Sequence, residues 1–234
     1  MKTPGKLDPD GADFNGADAH AGTPVLAAGP DPLEADATLV LVHGRGAAAE
    51  GMLRVHRALG LERLAALAPQ AAGNAWYPQS FLAPLESNQP NLDSALRRLD
   101  RLVRELVERG VAAERIALLG FSQGACLVTE LVGRHPRRYG AVMGLCGGLI
   151  GPPGTSRDYQ GSLDGTPVFL GASDPDSHVP FERVEETAAV LERMGARVEL
   201  RRYPDMPHAI NDDELDACRA LMRDVLEPRH RKRE

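Results

Sequence analysis

Short apolar runs alternate with longer stretches of helical period along most of the chain, the pattern of strands joined by helices. Residues 38–42, 65–68, 115–119, 141–146, 167–170 and 197–203 read as strands, and most are apolar almost throughout. Strands of that kind are covered on both faces. Residues 24–28 read as an edge strand before the Pro-rich turn at 30–32. Within 91–109, Leu92, Leu96, Leu99, Val103, Leu106 and Val107 fall on one stripe with charged residues elsewhere, and Gly110 supplies the stop. Helices are likewise predicted over 123–135, ahead of Pro136, over 181–194, between Pro180 and Gly195, and over 212–226, with Asn211 as N-cap. The fold class that follows is α/β: a mostly parallel twisted sheet built from right-handed crossovers, with helices on both faces and no segment long enough for a large lid domain.

Composition narrows the function without naming it. At 234 residues the chain suits one domain over 19–228, with residues 1–18 too poor in large apolar side chains to order themselves and 229–234 as a basic tail. Acidic and basic residues are interleaved and the net charge is -6, so no nucleic-acid groove is expected. The apolar runs are too short and interrupted for membrane insertion, and the start of the chain lacks the apolar core of a secretory signal; a cytoplasmic location is the expectation. Cys126, Cys146 and Cys218 are an odd number without metal-ligand spacing. They read as small buried hydrophobes rather than disulfides or a metal site.

One segment carries specific chemistry. Gly120-Phe121-Ser122-Gln123-Gly124 lies between a predicted strand and a predicted helix, the setting of a nucleophile elbow. In such a turn the serine is held in strained backbone geometry and the flanking glycines let strand and helix approach. The start of the following helix aims free N–H groups at the place where an oxyanion forms. A serine hydroxyl needs a base, and histidine has the suitable affinity for a proton. Of seven histidines, His208 stands after the last predicted strand and before the last helix, which returns it to the carboxyl edge of the sheet. His230 belongs to the basic tail and His178 to the loop that supplies the acid. For that acid Asp174 and Asp176 compete, with Asp176 favoured and both open. The backbone N–H groups of Arg45, in Val42-His43-Gly44-Arg45-Gly46, and of Gln123 are the candidate oxyanion donors, while His43 reads as a packing residue. Trp76, Tyr77, Phe81 and Leu149 stand in loops expected to ring the site and are the candidate substrate pocket.

With these residues in place, the chain resembles the phospholipase/carboxylesterase family of the α/β-hydrolase superfamily, which includes acyl-protein thioesterases and bacterial carboxylesterases. The likeness runs from Val40-Leu-Val-His-Gly-Arg-Gly through Gly120-Phe-Ser-Gln-Gly to Asp176-Ser-His-Val-Pro and His208. It implies a compact lidless serine hydrolase cleaving short to medium acyl or aryl esters through an acyl-enzyme, without cofactor or metal. The family's Asp-x-x-Val-Pro pattern tips the acid toward Asp176. The chain departs from the family in having Ser177 after that aspartate, Asp205 before Met206 where glycine is common, and Pro207 beside His208. Acyl-thioester, lysophospholipid or lactone hydrolysis are the neighbouring chemistries. A non-catalytic ligand-binding homologue is the reading from another class. The expected partner is a small-molecule ester, and a homodimer is left open.

Overall fold

A computed structural model of the chain describes residues 18–227, so the expectations for a disordered leader and a basic tail fall, apart from Asp18 at the inner end of the first, outside the described residues. Asp18 is ordered by the Ser94 hydroxyl, which donates to its carboxylate. The strands are β1 (Val25–Ala28), β2 (Ala37–Val42), β3 (Leu64–Pro69), β4 (Ile116–Phe121), β5 (Ala141–Leu145), β6 (Pro167–Asp174) and β7 (Arg197–Pro204). They form one sheet in the order β1-β3-β2-β4-β5-β6-β7. Only β1 runs antiparallel, pairing with β3 as the edge strand expected from the sequence.

Period-two alternation sorts the strand residues onto two cores. Val40, Val42, Ile116 and Leu118 face one side, where α2 (Asn91–Glu108), α3 (Gln123–Arg134) and α4 (Phe181–Arg193) pack with Leu92, Leu99, Leu127 and Leu191. Leu39, Leu41, Ala117 and Leu119 face the other, against Met52 and Leu59 of α1 (Ala49–Leu59) and Cys218 and Met222 of α5 (Asp212–Leu226). Neither face of a central strand sees water, which is why these strands are apolar almost throughout rather than at alternate positions, buried Thr38 of β2 aside. Truncating a fully buried side chain such as Leu118 to alanine costs roughly 2–5 kcal/mol.

The helix α1 was not among the predicted elements. Its apolar stripe is short, Met52 and Leu59 with Ala49, and Ala48 at the N-cap makes no side-chain capping bond. The available signal was at the other end, where Gly60 takes the left-handed conformation at φ 65° and its N–H bonds Arg57 O. The chain also needs a crossover there, because β2 and β3 are parallel neighbours.

Strand order places the site. The connection after β2 leads outward to β3, whereas the connection after β4 leads the other way to β5. The carboxyl ends of β2 and β4 therefore flank a crevice, the position where open α/β sheets bind ligands. No inserted domain covers it among the described residues; the two longest connections are 70–90 and 146–166.

Candidate active site

At the end of β4, Ser122 has φ 55° and ψ -119°, a backbone conformation that side chains rarely adopt. The turn around it is tight enough to dictate the flanking residues. A Cβ on Gly120 would lie 2.2 Å from Gly124 O, and one on Gly124 would lie 2.0 Å from Val42 O. Both obstacles are backbone, so no side-chain adjustment relieves them. The serine amide donates to Leu145 O at 2.9 Å, which ties the elbow to β5.

Facing the serine, His208 Nε2 lies 2.9 Å from Ser122 Oγ, and His208 Nδ1 lies 2.7 Å from Asp176 Oδ2. With Asp176 ionised, Nδ1 carries the proton and Nε2 is left as an acceptor for the hydroxyl. The second carboxylate oxygen of Asp176 accepts from the amides of His178 at 2.7 Å and Val179 at 3.1 Å. Burial pushes the Asp176 carboxyl up, but the bonds from His208 and the two amides outweigh it and hold its pKa below the usual value. Its side chain is 0% exposed, so the charge that faces His208 is not diluted by solvent.

Asp174 stands elsewhere. The sequence pattern ends β6 at Leu170, but pairing with β7 carries it four residues further, through Gly171↔Arg201 to Asp174↔Pro204. Asp174 is thereby the last residue of the strand, and its carboxylate lies 3.4 Å from Arg202 on a half-exposed surface.

Above the serine, the loop after β2 brings Gly44 and Arg45 to the mouth of the crevice, and Gln123 opens α3. As first residue of the helix, Gln123 has an amide without an intrahelical acceptor. Among the described residues the Arg45 amide likewise has no acceptor in the protein, while Gly46 N is used on Asn74 O at 2.7 Å. The side chains of these two residues do something the sequence did not reveal. The Arg45 guanidinium donates to Pro78 O at 2.6 Å and Gln79 O at 2.5 Å. Gln123 is 5% exposed, accepts from Trp76 N at 2.8 Å and donates to Tyr77 O at 2.8 Å. Together they hold residues 76–79 as a wall of the crevice.

A cavity of about 430 Å³ opens beside Ser122 and His208. Tyr77 and Phe81, two of the expected pocket residues, line it with Phe121, His178 and Val179. The expectation for Trp76 and Leu149 is corrected: both are fully buried and stand outside the lining. Trp76 is held by the fold at every polar atom, with Nε1 donating to His43 O at 2.9 Å and its carbonyl accepting from His20 Nε2 at 2.9 Å, and its indole lies between the rings of His20 and His43. Leu149 is drawn toward α4, its amide donating to Thr187 Oγ1 at 2.9 Å and its carbonyl accepting from Arg183 at 2.7 Å. His43 packs under the loop as the sequence suggested: Nδ1 donates to Gly44 O at 2.8 Å, Nε2 accepts from Ala71 N at 3.1 Å, and burial lowers its pKa so that it stays neutral.

Sequence reasoning overlooked Phe121 and His178 as pocket residues. Their rings lie 5.1 Å and 4.8 Å from that of His208, and adjacency to Ser122 and Asp176 was the available signal. A metal has little to hold it here. Cys146 Sγ, an Asp176 oxygen and a His208 nitrogen lie within 4.8 Å of one another. The histidine and the carboxylate are already committed to each other, and His208 Nε2 to Ser122 Oγ, while burial pushes the Cys146 thiol up to about 12. The three cysteines are buried and free. Among the described residues no helix is long and apolar enough to cross a membrane.

Comparison with known proteins agrees with this geometry. A family model described as phospholipase/carboxylesterase matches residues 29–225. The crystal structure of a phospholipase/carboxylesterase from Dyadobacter fermentans is similar at 40% identity and a TM-score of 0.82, covering 88% of this chain and 97% of that one. The Bacillus cereus carboxylesterase, at 18% identity, TM-score 0.68 and coverage of 88% and 95%, carries the fold alone. Acyl-protein thioesterase 1 of Gibberella zeae is 31% identical over 132 residues, 55% of this chain and 56% of that protein. The chain spans 56–58% of the length of the first curated relatives it matches. The sheet is that of the α/β-hydrolase fold, its elbow and histidine loop stand at the carboxyl ends of β4 and β7, and the family match takes in both; the chain belongs to the phospholipase/carboxylesterase family.

Proposed function

We propose that the protein is a serine carboxylesterase that hydrolyses small-molecule esters, with Ser122 as nucleophile, His208 as general base and acid, and Asp176 as the residue that fixes the imidazole. The observation that carries this reading is the continuous hydrogen-bonded line from Ser122 Oγ through His208 to Asp176, at 2.9 Å and 2.7 Å, beneath an open cavity. His208 Nε2 takes the hydroxyl proton as Oγ attacks the acyl carbonyl, and the same proton passes to the departing alcohol as the tetrahedral intermediate collapses. The Arg45 and Gln123 amides receive the oxyanion, and water repeats the sequence on the acyl-enzyme. Thioesters undergo the same two steps, and the relatives named acyl-protein thioesterase favour including them. The test is covalent labelling by a fluorophosphonate probe. Labelling of the wild type and its loss in Ser122→Ala are expected; folded wild-type protein that resists the probe would favour a non-catalytic binding protein instead.

A further inference from the structure

The side chains around the cavity are unbalanced in charge. The lining includes Arg45, His178 and His208 but no aspartate or glutamate, in a chain whose net charge is -6. Asp176 lies behind His208, which its carboxylate meets at 2.7 Å. Glu130, one helical turn past the lining residue Cys126, is buried and answered by Arg134 at 2.6 Å and Arg157 at 3.9 Å. The fixed charge left at the cavity is the guanidinium of Arg45, an exposed residue that meets no carboxylate among the described residues.

Two contacts hold that charge in place. Nη1 donates to Pro78 O at 2.6 Å and Nη2 to Gln79 O at 2.5 Å, and Cζ stands 5.8 Å from the centroid of the Tyr77 ring. All three partners line the cavity, so the guanidinium is fixed on its rim instead of swinging into solvent. A guanidinium carries more N–H groups than these two bonds use, and the others have no acceptor among the described residues. The reaction orients an ester relative to this charge. His208 Nε2 must reach the departing alcohol oxygen, and the Arg45 and Gln123 amides the carbonyl oxygen. The alcohol therefore lies toward His208, beside the rings of Phe121 and His178, and the acyl chain takes the remaining direction, along the wall at 77–79.

Building on the esterase reading, we propose that the enzyme favours esters whose acyl chain ends in a carboxylate, the half-esters of dicarboxylic acids, and that the Arg45 guanidinium binds that carboxylate. A planar guanidinium matches a planar carboxylate, and hydrogen bonds between ionised partners are roughly twice as strong as neutral ones. In an adipate half-ester as many bonds separate the ester carbonyl carbon from the carboxylate carbon as separate the Arg45 Cα, at the oxyanion, from its Cζ. Arg45 is exposed, so water and salt weaken the attraction and the preference is salt-dependent.

The experiment measures kcat/KM for three para-nitrophenyl esters of matched reach: the hexanoate, the hydrogen adipate with its terminal carboxylate, and the 6-aminohexanoate with its terminal ammonium. The two charged esters lose similar hydration on binding, so their ratio reads the sign of the field in the cavity. Exposed charge pairs change an equilibrium by up to about fivefold, and attraction of one ester multiplies with repulsion of the other. The wild type is therefore expected to favour the adipate over the aminohexanoate by about tenfold at about 10 mM ionic strength, falling to about twofold at about 1 M. Arg45→Gln should bring the low-salt ratio below about threefold, and Arg45→Lys should keep most of it. A wild-type ratio at or below one overturns the proposal, as does a ratio that salt does not change or that Arg45→Gln leaves as it was; the salt series needs only the wild type and decides even if a variant fails to fold. Turnover of the hexanoate without an adipate preference ends this inference and leaves the esterase reading intact, whereas turnover of none of the three ends both.

Discussion

Replacing Asp176 by asparagine tests the site at its least obvious member. The substitution preserves shape but exchanges one acceptor oxygen for a donor. Oδ1 accepts from the His178 and Val179 amides at 2.7 Å and 3.1 Å, while Oδ2 faces His208 Nδ1 at 2.7 Å. An asparagine must keep its oxygen toward the two amides, since its NH2 there would face two donors. The NH2 then points at His208 Nδ1 and donates to it. The ring proton is forced onto Nε2, which points at Ser122 Oγ and can no longer accept its proton. An Asp→Asn change in the corresponding role of a serine protease lowers kcat about ten-thousandfold, and four decades correspond to about 5.5 kcal/mol of lost transition-state stabilisation. Asp176→Asn is expected to fall in that range. Asp174→Asn is the matched control: it loses only a half-exposed contact with Arg202 at 3.4 Å, and exposed pairs contribute about 0–1 kcal/mol. Its kcat should stay within about threefold of the wild type. The assay is steady-state hydrolysis of para-nitrophenyl butyrate, with a thermal melt of each variant to establish folding. Comparable small losses in the two variants, or the larger loss in Asp174→Asn, would refute the assignment of the acid.

Three further outcomes follow from particular contacts. Arg45→Ala keeps the backbone amide but frees Pro78 O and Gln79 O, so KM for a short aryl ester should rise about three- to tenfold with kcat little changed; a kcat loss at constant KM would mean that the guanidinium acts in the chemistry. Gly124→Ala drives a methyl group to 2.0 Å from Val42 O, a backbone clash that should cost more than about 4 kcal/mol and appear as loss of soluble folded protein. A soluble Gly124→Ala variant with the wild-type melting temperature would contradict the packing described for the elbow. Glu214 is buried and its carboxyl is raised from 4.5 to about 7, chiefly by desolvation, so the folded state holds a proton that the unfolded chain has released. Stability therefore declines as pH rises from 4.5 toward 7 and stays reduced above it, by about 3 kcal/mol. Glu214→Gln should raise the melting temperature at pH 8 and leave it unchanged near pH 4, as read by thermal melts across that range; equal effects at both values would exclude the linkage.

How far the sequence could be read depended on the range of the forces involved. Central strands announce themselves because burial on both faces removes polar residues locally, and the elbow because two glycines and a serine must occur together wherever strand and helix meet that closely. Its place after the last predicted strand and before the last helix picked out His208. The structure supports pairing it with Ser122 across 86 positions of sequence through a 2.9 Å contact. The helix α1 was missed because its buried stripe is short, Met52 and Leu59 with Ala49, and its stability comes from packing on β3, β1, β2 and α5.

Other features depended on contacts no local pattern encodes. Asp174 and Asp176 are two residues apart, and which one faces the histidine turns on how far β6 remains paired with β7. Trp76 and Tyr77 are adjacent aromatics in one loop, yet one is fixed in the core by His20, His43 and Gln123 while the other lines the cavity. Sequence by itself determined the parallel sheet, the strained serine turn and the histidine loop, since short-range sterics and burial write these into adjacent residues. Only the tertiary structure decided which carboxylate completes the hydrogen-bonded line and which aromatic borders the pocket, because a side chain's direction is settled by partners tens of residues away.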